Sequence, residues 1–184
     1  MPIEDDQPAL EPVLSHKLTV TAVEDPVEGH IEFKEPGLSR VKDFLRIEAL
    51  DRLSIDYRLT PIARGRLSLT GKIEAQLTQL CVVTREPVAE SIDEPLSLEC
   101  WPEEQMGEVP EIDHDASEDA MPEDPPVPII AGKVDLGALA VELVASAMNP
   151  YPRSDGAAFD WQDPQGDPAA SGPFADLAKL KPKT

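Results

Sequence analysis

The sequence of 184 residues is long enough for one domain with extensions, and its 20 prolines and 4% aromatic content indicate that part of it adds little to a core. A formal net charge of −20, from 36 acidic and 16 basic residues, excludes broad nonspecific binding to nucleic acid, because such binding needs many cations to displace phosphate counterions. The two cysteines are too few for a disulfide framework.

Residues 1–14 are acidic and are predicted to form a flexible N-terminus. Their opening, MPIEDDQPAL, has no basic stretch and no apolar run, so we expect no secretory signal. No part of the sequence approaches the ~20 apolar residues that a membrane-spanning helix needs. We therefore expect a cytoplasmic protein without a membrane partner.

Two short elements are predicted next. Residues 16–23 alternate polar and apolar side chains, which predicts a first strand. Residues 38–47 predict a short helix with Ser39 as its N-cap. Its apolar face is expected to contain Val41, Phe44 and Leu45.

The strongest periodicity lies in residues 53–77. Apolar residues occupy the odd positions on both sides of a turn at 63–65, which predicts an antiparallel hairpin with one buried face. Gly71 falls in the second strand at a core-facing position, which indicates a bulge or a close backbone approach. Residues 94–101 alternate again and predict a further strand.

The two cysteines fit these strands. The register that directs Leu77 inward also directs Cys81 inward, and Cys100 shares the apolar face of Leu96 and Leu98. We therefore interpret both thiols as small core residues, the usual state of a free cysteine. Two thiols do not supply the four ligands of a structural zinc site, so no metal is predicted.

An acidic segment separates these strands from the next helix. Residues 102–133 hold ten acids and one base, Lys133, a net charge of −9. The part from 103 to 128 is predicted to be a mobile acidic loop, because repelling acids bury too little apolar area to offset the entropy lost on ordering.

The clearest helix spans residues 134–148. Asp135 is placed to cap it, and an apolar stripe is expected to face the sheet through Leu136, Leu139, Ala140, Leu143 and Ala147. The elements together predict one α+β domain over residues 15–152. It consists of an antiparallel β-sheet with one short and one longer packed helix, an acidic loop insertion and a flexible C-terminal tail.

The end of the chain reads as a linker, residues 153–172, followed by a short amphipathic tail motif, residues 173–184. The tail places Phe174 and Leu177 on one side, and Lys179 and Lys181 follow. One interpretation is a terminal helix docked on its own domain. The other is a motif that folds on a partner and binds it through these four residues.

The sequence has none of the common catalytic patterns. It contains no phosphate-binding glycine loop, no His-Glu-x-x-His, no Gly-x-Ser-x-Gly and no Cys-x-x-Cys. The three histidines, His16, His30 and His114, lie in different segments. We therefore predict a protein that is not an enzyme, with no catalytic residue, no cofactor and no small-molecule substrate.

The order of the motifs resembles the YceD family, the large ribosomal RNA subunit accumulation proteins, a family of domains of unknown function. The resemblance rests on GKIEAQLTQLCVVTREPVAESIDEPLSLECWPEE, the acidic gap, VDLGALAVELVASAMNPYPR and the closing PFADLAKLKPK. It runs from about residue 15 to the end and is most similar to alphaproteobacterial members. Many members carry Cys-x-x-Cys where this chain has Cys81-Val82-Val83-Thr84, so half of that pair is missing here.

The resemblance implies a role in large-subunit ribosomal RNA accumulation and ribosome assembly, and it supplies no catalytic residue. The partner is expected to be a ribosomal protein or assembly factor, or large-subunit ribosomal RNA itself. The net negative charge favours a protein partner over RNA. The residues that would contact RNA are Arg40, Lys42, Arg46, Arg64 and Arg66. A metal-dependent enzyme acting on RNA and a protein-binding adaptor outside ribosome assembly are the alternatives.

Overall fold

The structure is a computed structural model, and it describes residues 11–21, 23–108 and 125–159. The elements in chain order are β1 (Lys17–Thr19), β2 (Val27–Glu32), α1 (Gly37–Leu45), β3 (Ala49–Pro61), β4 (Leu67–Leu80), β5 (Pro87–Pro102), β6 (Val127–Ile129), β7 (Lys133–Asp135) and α2 (Leu136–Ala147). Short 3₁₀ helices span Ala63–Gly65 and Glu103–Glu108. Neither helix of the described ranges is long and apolar enough to cross a membrane.

The strands form two sheets. The larger sheet has the order β2-β3-β4-β5-β6, and all its pairs are antiparallel except β5 with β6. β1 and β7 form a separate antiparallel pair. Both helices contribute to one apolar core with the same sheet face, which confirms the α+β class and the combination of one short and one longer helix.

The central hairpin confirms the predicted periodicity. Leu53, Ile55, Leu69 and Ile73 are fully buried, whereas the alternate positions form the polar face of the sheet. Gly71 has φ of 152°, and a Cβ there would lie 2.0 Å from the carbonyl oxygen of Asp56. The predicted close backbone approach is therefore present, and only glycine fits it.

The first helix differs from its prediction at both ends. It begins at Gly37, and Ser39 lies inside it rather than at the N-cap. The Glu35 carboxylate accepts hydrogen bonds from the backbone N–H and the hydroxyl of Ser39. Val41 is buried as expected, but Phe44 is 59% exposed, because so short a helix presents only a narrow stripe to the sheet.

The strand boundaries also differ from those predicted. β1 covers three residues of the predicted 16–23 strand and pairs with β7, and the edge strand β2 was not predicted. β5 has sixteen residues rather than eight, because the whole length of β4 pairs with it. Leu14 is buried in the core, so the domain begins before residue 15.

Regular structure extends into the predicted acidic loop from both sides. Residues 103–108 form a 3₁₀ helix, and 127–129 pair in parallel with the end of β5. The pairing carries Val127 and Ile129 onto the edge of the core, which the charge pattern did not indicate. Residues 109–124 lie outside the described residues, as do 160–172 of the predicted linker and the tail 173–184.

The predicted cap of α2 is confirmed and joins three parts of the fold. The Asp135 carboxylate accepts the N–H groups of Gly137 and Ala138, at 3.1 and 3.2 Å, in the first turn of the helix. It also accepts the Ser15 hydroxyl at 2.6 Å and the His16 N–H at 2.8 Å. Burial raises the pKa of Asp135, but these hydrogen bonds outweigh it and hold the pKa below its usual range.

Asp135→Ala is expected to lower the free energy of unfolding by about 2–3 kcal/mol, because a helix cap and its charge-assisted hydrogen bonds are lost. In the parent protein this contribution is complete above the ordinary carboxyl pKa of ~4 and is lost as the pH falls through the lowered pKa. Urea unfolding at neutral and acidic pH measures both effects. The control is Asp155→Ala at an exposed position; a loss no larger than the control's would contradict the prediction.

Candidate functional site

Cys81 begins a tight turn between β4 and β5, one residue beyond the end of its strand. The Arg85 N–H donates to the Cys81 carbonyl oxygen at 3.0 Å, which closes the turn. The Cys81 sulfur accepts the N–H groups of Val83 and Thr84, at 3.4 and 3.3 Å. The Ser154 hydroxyl donates to the same sulfur at 3.5 Å. Cys81 is buried as predicted, but in a turn of hydrogen-bond donors rather than in an apolar strand.

These donors change the acidity of the thiol. Hydrogen bonds from the Ser154 hydroxyl and from Thr84 lower the pKa of Cys81 to about 6, and they outweigh the rise that burial causes. Cys100 shows the opposite behaviour, because burial in the core raises its pKa to about 12. One of the two predicted core thiols is therefore a polar, anion-stabilised group, and the other is an ordinary apolar core residue.

The two cysteines lie too far apart to bind the same metal ion. Cys100 lies opposite Leu67 at the start of β4, and Cys81 follows Leu80 at its end. The fourteen-residue strand separates them by ~40 Å. Thr84 stands where Cys-x-x-Cys would place a second thiol, and its hydroxyl contacts Glu86 and Ser154 instead. The described ranges contain no group of three or more His, Cys, Asp or Glu side chains that could hold a metal ion.

The five cations predicted to contact RNA form two separate groups. Arg40, Lys42 and Arg46 belong to α1 and its C-cap, which precede the first residue of β3. Arg64 and Arg66 lie in the turn after its last residue. The thirteen residues of β3 separate the two groups by ~40 Å. The fold therefore does not bring these side chains together, and their role in RNA contact stays a prediction.

The turn group is already engaged within the domain. The Arg66 guanidinium lies 3.5 Å above the centroid of the Trp101 ring, a cation–π contact. Its Nε donates to the Gln105 side-chain oxygen at 2.7 Å, and the Gln105 amide donates to the Arg64 carbonyl oxygen at 2.9 Å. Arg66 thus fixes the 3₁₀ helix of residues 103–108 against the β3–β4 turn.

The polar face of the large sheet has its charges largely matched. His30 and Asp56 are 2.7 Å apart, Lys72 and Glu74 are 2.6 Å apart, and Arg58 pairs with Glu28. Each basic side chain here is held by a carboxylate of its own strand or of a neighbouring strand. The face therefore has little unneutralised positive charge with which to attract phosphate.

Negative charge in excess lies along one strand instead. The sequence from Glu86 to Glu108 contains eight acids and no lysine or arginine, and it comprises β5 and the following 3₁₀ helix. Asp93, Glu94, Glu103 and Glu104 are exposed and form no salt bridge with a described residue, although Asp93 lies near enough to Lys72 to raise the pKa of that lysine. We call residues 86–108 the acidic strip.

An apolar groove of about 710 Å³ lies between α2 and the segment 125–133. Its apolar lining includes Leu98, Val127, Ile130, Leu139 and Leu143. Lys17 and Lys133 lie at the end where α2 begins, and Glu142 lies about two turns further along the helix. This size is typical of pockets that bind a ligand or a few anchoring side chains.

Only part of these sites could be predicted from the sequence. The predicted tail residues Phe174, Leu177, Lys179 and Lys181 lie outside the described residues. Ser154 was missed, because it lies 73 positions from Cys81 and only the fold brings the two together. The groove had one signal in the sequence, since Glu142 and Ser146 are the only polar residues of α2.

No protein-family model, no curated protein and no solved structure matches this chain.

Ser154→Ala and Thr84→Val are each expected to raise the pKa of Cys81 from about 6 toward the ordinary thiol value of ~8.5. The first removes a hydroxyl donor to the sulfur, and the second removes a hydroxyl that contacts Ser154 and also lowers the Cys81 pKa, while the Thr84 N–H donor stays. Since the folded pKa is lowered, the ionised thiol stabilises the fold above the ordinary thiol pKa. This contribution is lost as the pH falls through about 6. The ultraviolet absorbance of the thiolate, followed against pH, measures the change.

The matched control is Ser146→Ala, which removes a hydroxyl that donates to the Leu143 carbonyl oxygen on α2. Cys81→Ser identifies the signal, because it should abolish the transition near neutral pH. A transition that keeps the same midpoint in both donor variants would show that these hydrogen bonds do not set the acidity.

Proposed function

We propose that the chain is a non-enzymatic factor in large-subunit ribosomal RNA accumulation and ribosome assembly that acts by binding a basic protein. The observation that carries the binding mode is the acidic strip, with eight carboxylates and no cation from residue 86 to residue 108. The step to ribosome assembly is supported by the order of motifs that resembles the YceD family. A cytoplasmic location is part of the same proposal.

Electrostatic complementarity supports this binding mode. Ribosomal proteins are rich in lysine and arginine, and a chain with a net charge of −20 attracts such a surface over a range of about one Debye length, ~8 Å at physiological salt. The acids of β5 lie between residues 90 and 99 of an extended strand, and so the strip can follow an extended basic segment. An acidic factor bound in this way would shield its partner from premature, nonspecific contact with RNA.

Direct RNA binding is the weaker mechanism. The five candidate cations fall into two groups ~40 Å apart, and Arg66 is held by Trp101 and Gln105. Phosphate affinity grows with the number of cations that contact the backbone together, and neither group offers more than three. The tail residues Phe174, Leu177, Lys179 and Lys181 remain a proposed second element of partner recognition.

Neutralising the acidic strip is expected to lower the affinity for a basic large-subunit ribosomal protein by roughly tenfold or more, because electrostatic attraction accelerates association. The variant replaces the four exposed carboxylates by amides, as Asp93→Asn, Glu94→Gln, Glu103→Gln and Glu104→Gln. Binding is measured by calorimetry at low and at physiological salt, and the affinity of the variant should also depend less on salt.

The matched control removes the same charge elsewhere, as Glu24→Gln, Asp25→Asn, Glu48→Gln and Asp51→Asn, all at exposed positions. Equal losses of affinity in the two variants would show that the overall net charge, rather than the acidic strip, determines binding. Tight binding to large-subunit ribosomal RNA at physiological salt, abolished by Arg40→Ala with Arg64→Ala, would overturn the protein-first mechanism.

A further inference from the structure

We propose that the groove beside α2 is a binding site for the C-terminal segment of the same chain, residues 173–183. In the absence of a partner this segment lies in the groove as a short helix, with Phe174 and Leu177 as its anchors. The inference does not rest on the proposed function, because it concerns only how the chain binds itself.

The composition of α2 indicates that a second side of this helix is covered. Ten of its twelve residues are apolar or glycine, and a helix that is apolar on nearly all sides is normally covered on more than one side. One side packs on the sheet through Leu136, Ala140 and Val144, which are fully buried. Leu143 was predicted to face the sheet, but it is only half-buried and lines the groove. The second side of α2 therefore presents apolar surface that no described segment covers.

The opposite wall of the groove is similar. Ile130 is 55% exposed, and Leu98 and Val127 are half-buried. Together with α2 these residues form a continuous apolar channel rather than isolated exposed side chains. Contiguous apolar surface of this kind marks a site where another segment binds.

The sequence of 173–183 fits this channel. Pro173 suits the first position of a helix, and Phe174, Leu177 and Ala178 would fall on one side of it at spacings of three and four residues. A helix of this length is not stable alone in water. It needs an apolar surface on which to form, and helix-in-groove binding uses anchors at these spacings.

The chain is long enough to place the segment there. The last described residue is Phe159, and fifteen residue steps to Phe174 reach up to ~50 Å. Residues 149–154 lie beyond the end of α2, where the Val82 N–H donates to the Pro152 carbonyl oxygen. The groove begins at the other end of this twelve-residue helix, ~18 Å away.

The charges select a direction for the bound segment. Lys17 and Lys133 flank the groove near the start of α2, where they outnumber the Asp135 carboxylate, and Glu142 follows further along. In the segment Asp176 comes first, and Lys179 and Lys181 follow. A segment helix parallel to α2 therefore places Asp176 near the two lysines and its own lysines near Glu142. The reverse direction would bring like charges together.

The test uses the full-length chain and methyl NMR of Ile130, Leu139 and Leu143. Phe174→Ala with Leu177→Ala should shift these three methyl signals and lower the melting temperature by about 4 °C or more, because two anchors leave an apolar site. The matched control is Phe159→Ala, since this side chain is 79% exposed, and it should change neither readout.

A charge exchange tests the direction. Glu142→Lys alone and Lys179→Glu with Lys181→Glu alone should each lower the melting temperature, and the combined variant should recover most of the loss. Additive losses would overturn the parallel placement.

Methyl signals that stay unchanged in the double alanine variant would overturn the proposal altogether. Signals that change on dilution of the parent protein would assign the groove to a second copy of the chain, and signals that respond only to an added basic amphipathic peptide would assign it to a partner. Either result excludes the segment of the same chain as the occupant.

Discussion

The Asp135 carboxylate is the interaction on which the arrangement of the helical layer depends. It accepts four hydrogen bonds, two from the first turn of α2 and two from Ser15 and His16, which immediately precede β1. β1 and β7 make only three residue pairs, which is too short a ladder to be stable alone. The carboxylate therefore holds the N-terminal segment, β7 and α2 as one unit against the large sheet.

That unit also forms the groove. α2 begins where Asp135 caps it, and the same short ladder positions Lys17 and Lys133 at the groove's end. Any change that loosens the cap is expected to alter the groove as well as the stability of the domain. Fold and candidate binding surface are thus coupled through one side chain.

The protein's charges are arranged by element rather than spread at random. Basic side chains of the polar sheet face are paired with carboxylates of the same or a neighbouring strand, whereas β5 and the following 3₁₀ helix carry acids alone. The two candidate sites near α2 also differ in chemistry. One is an apolar groove beside the helix, and the other, beyond its C-terminal end, is a turn whose donors stabilise a thiolate. The acidic strip supports the proposed binding of a basic partner, and the groove supports the proposed docking of residues 173–183 of the same chain.

The sequence alone determined the α+β class, the central hairpin, the close approach at Gly71 and the capped helix that starts after Asp135. Each of these follows from local periodicity or from the preference of one side chain for one backbone position. Only the tertiary structure decided the partners: β1 pairs with β7, β5 follows the full length of β4, and Ser154 reaches Cys81 across 73 positions. Local pattern could not show that Phe44 points to solvent, that the predicted RNA-contacting cations separate, or which segment forms the wall of the groove opposite α2. Those outcomes depend on which surfaces meet when the chain folds, and contacts between distant residues leave no period in the sequence.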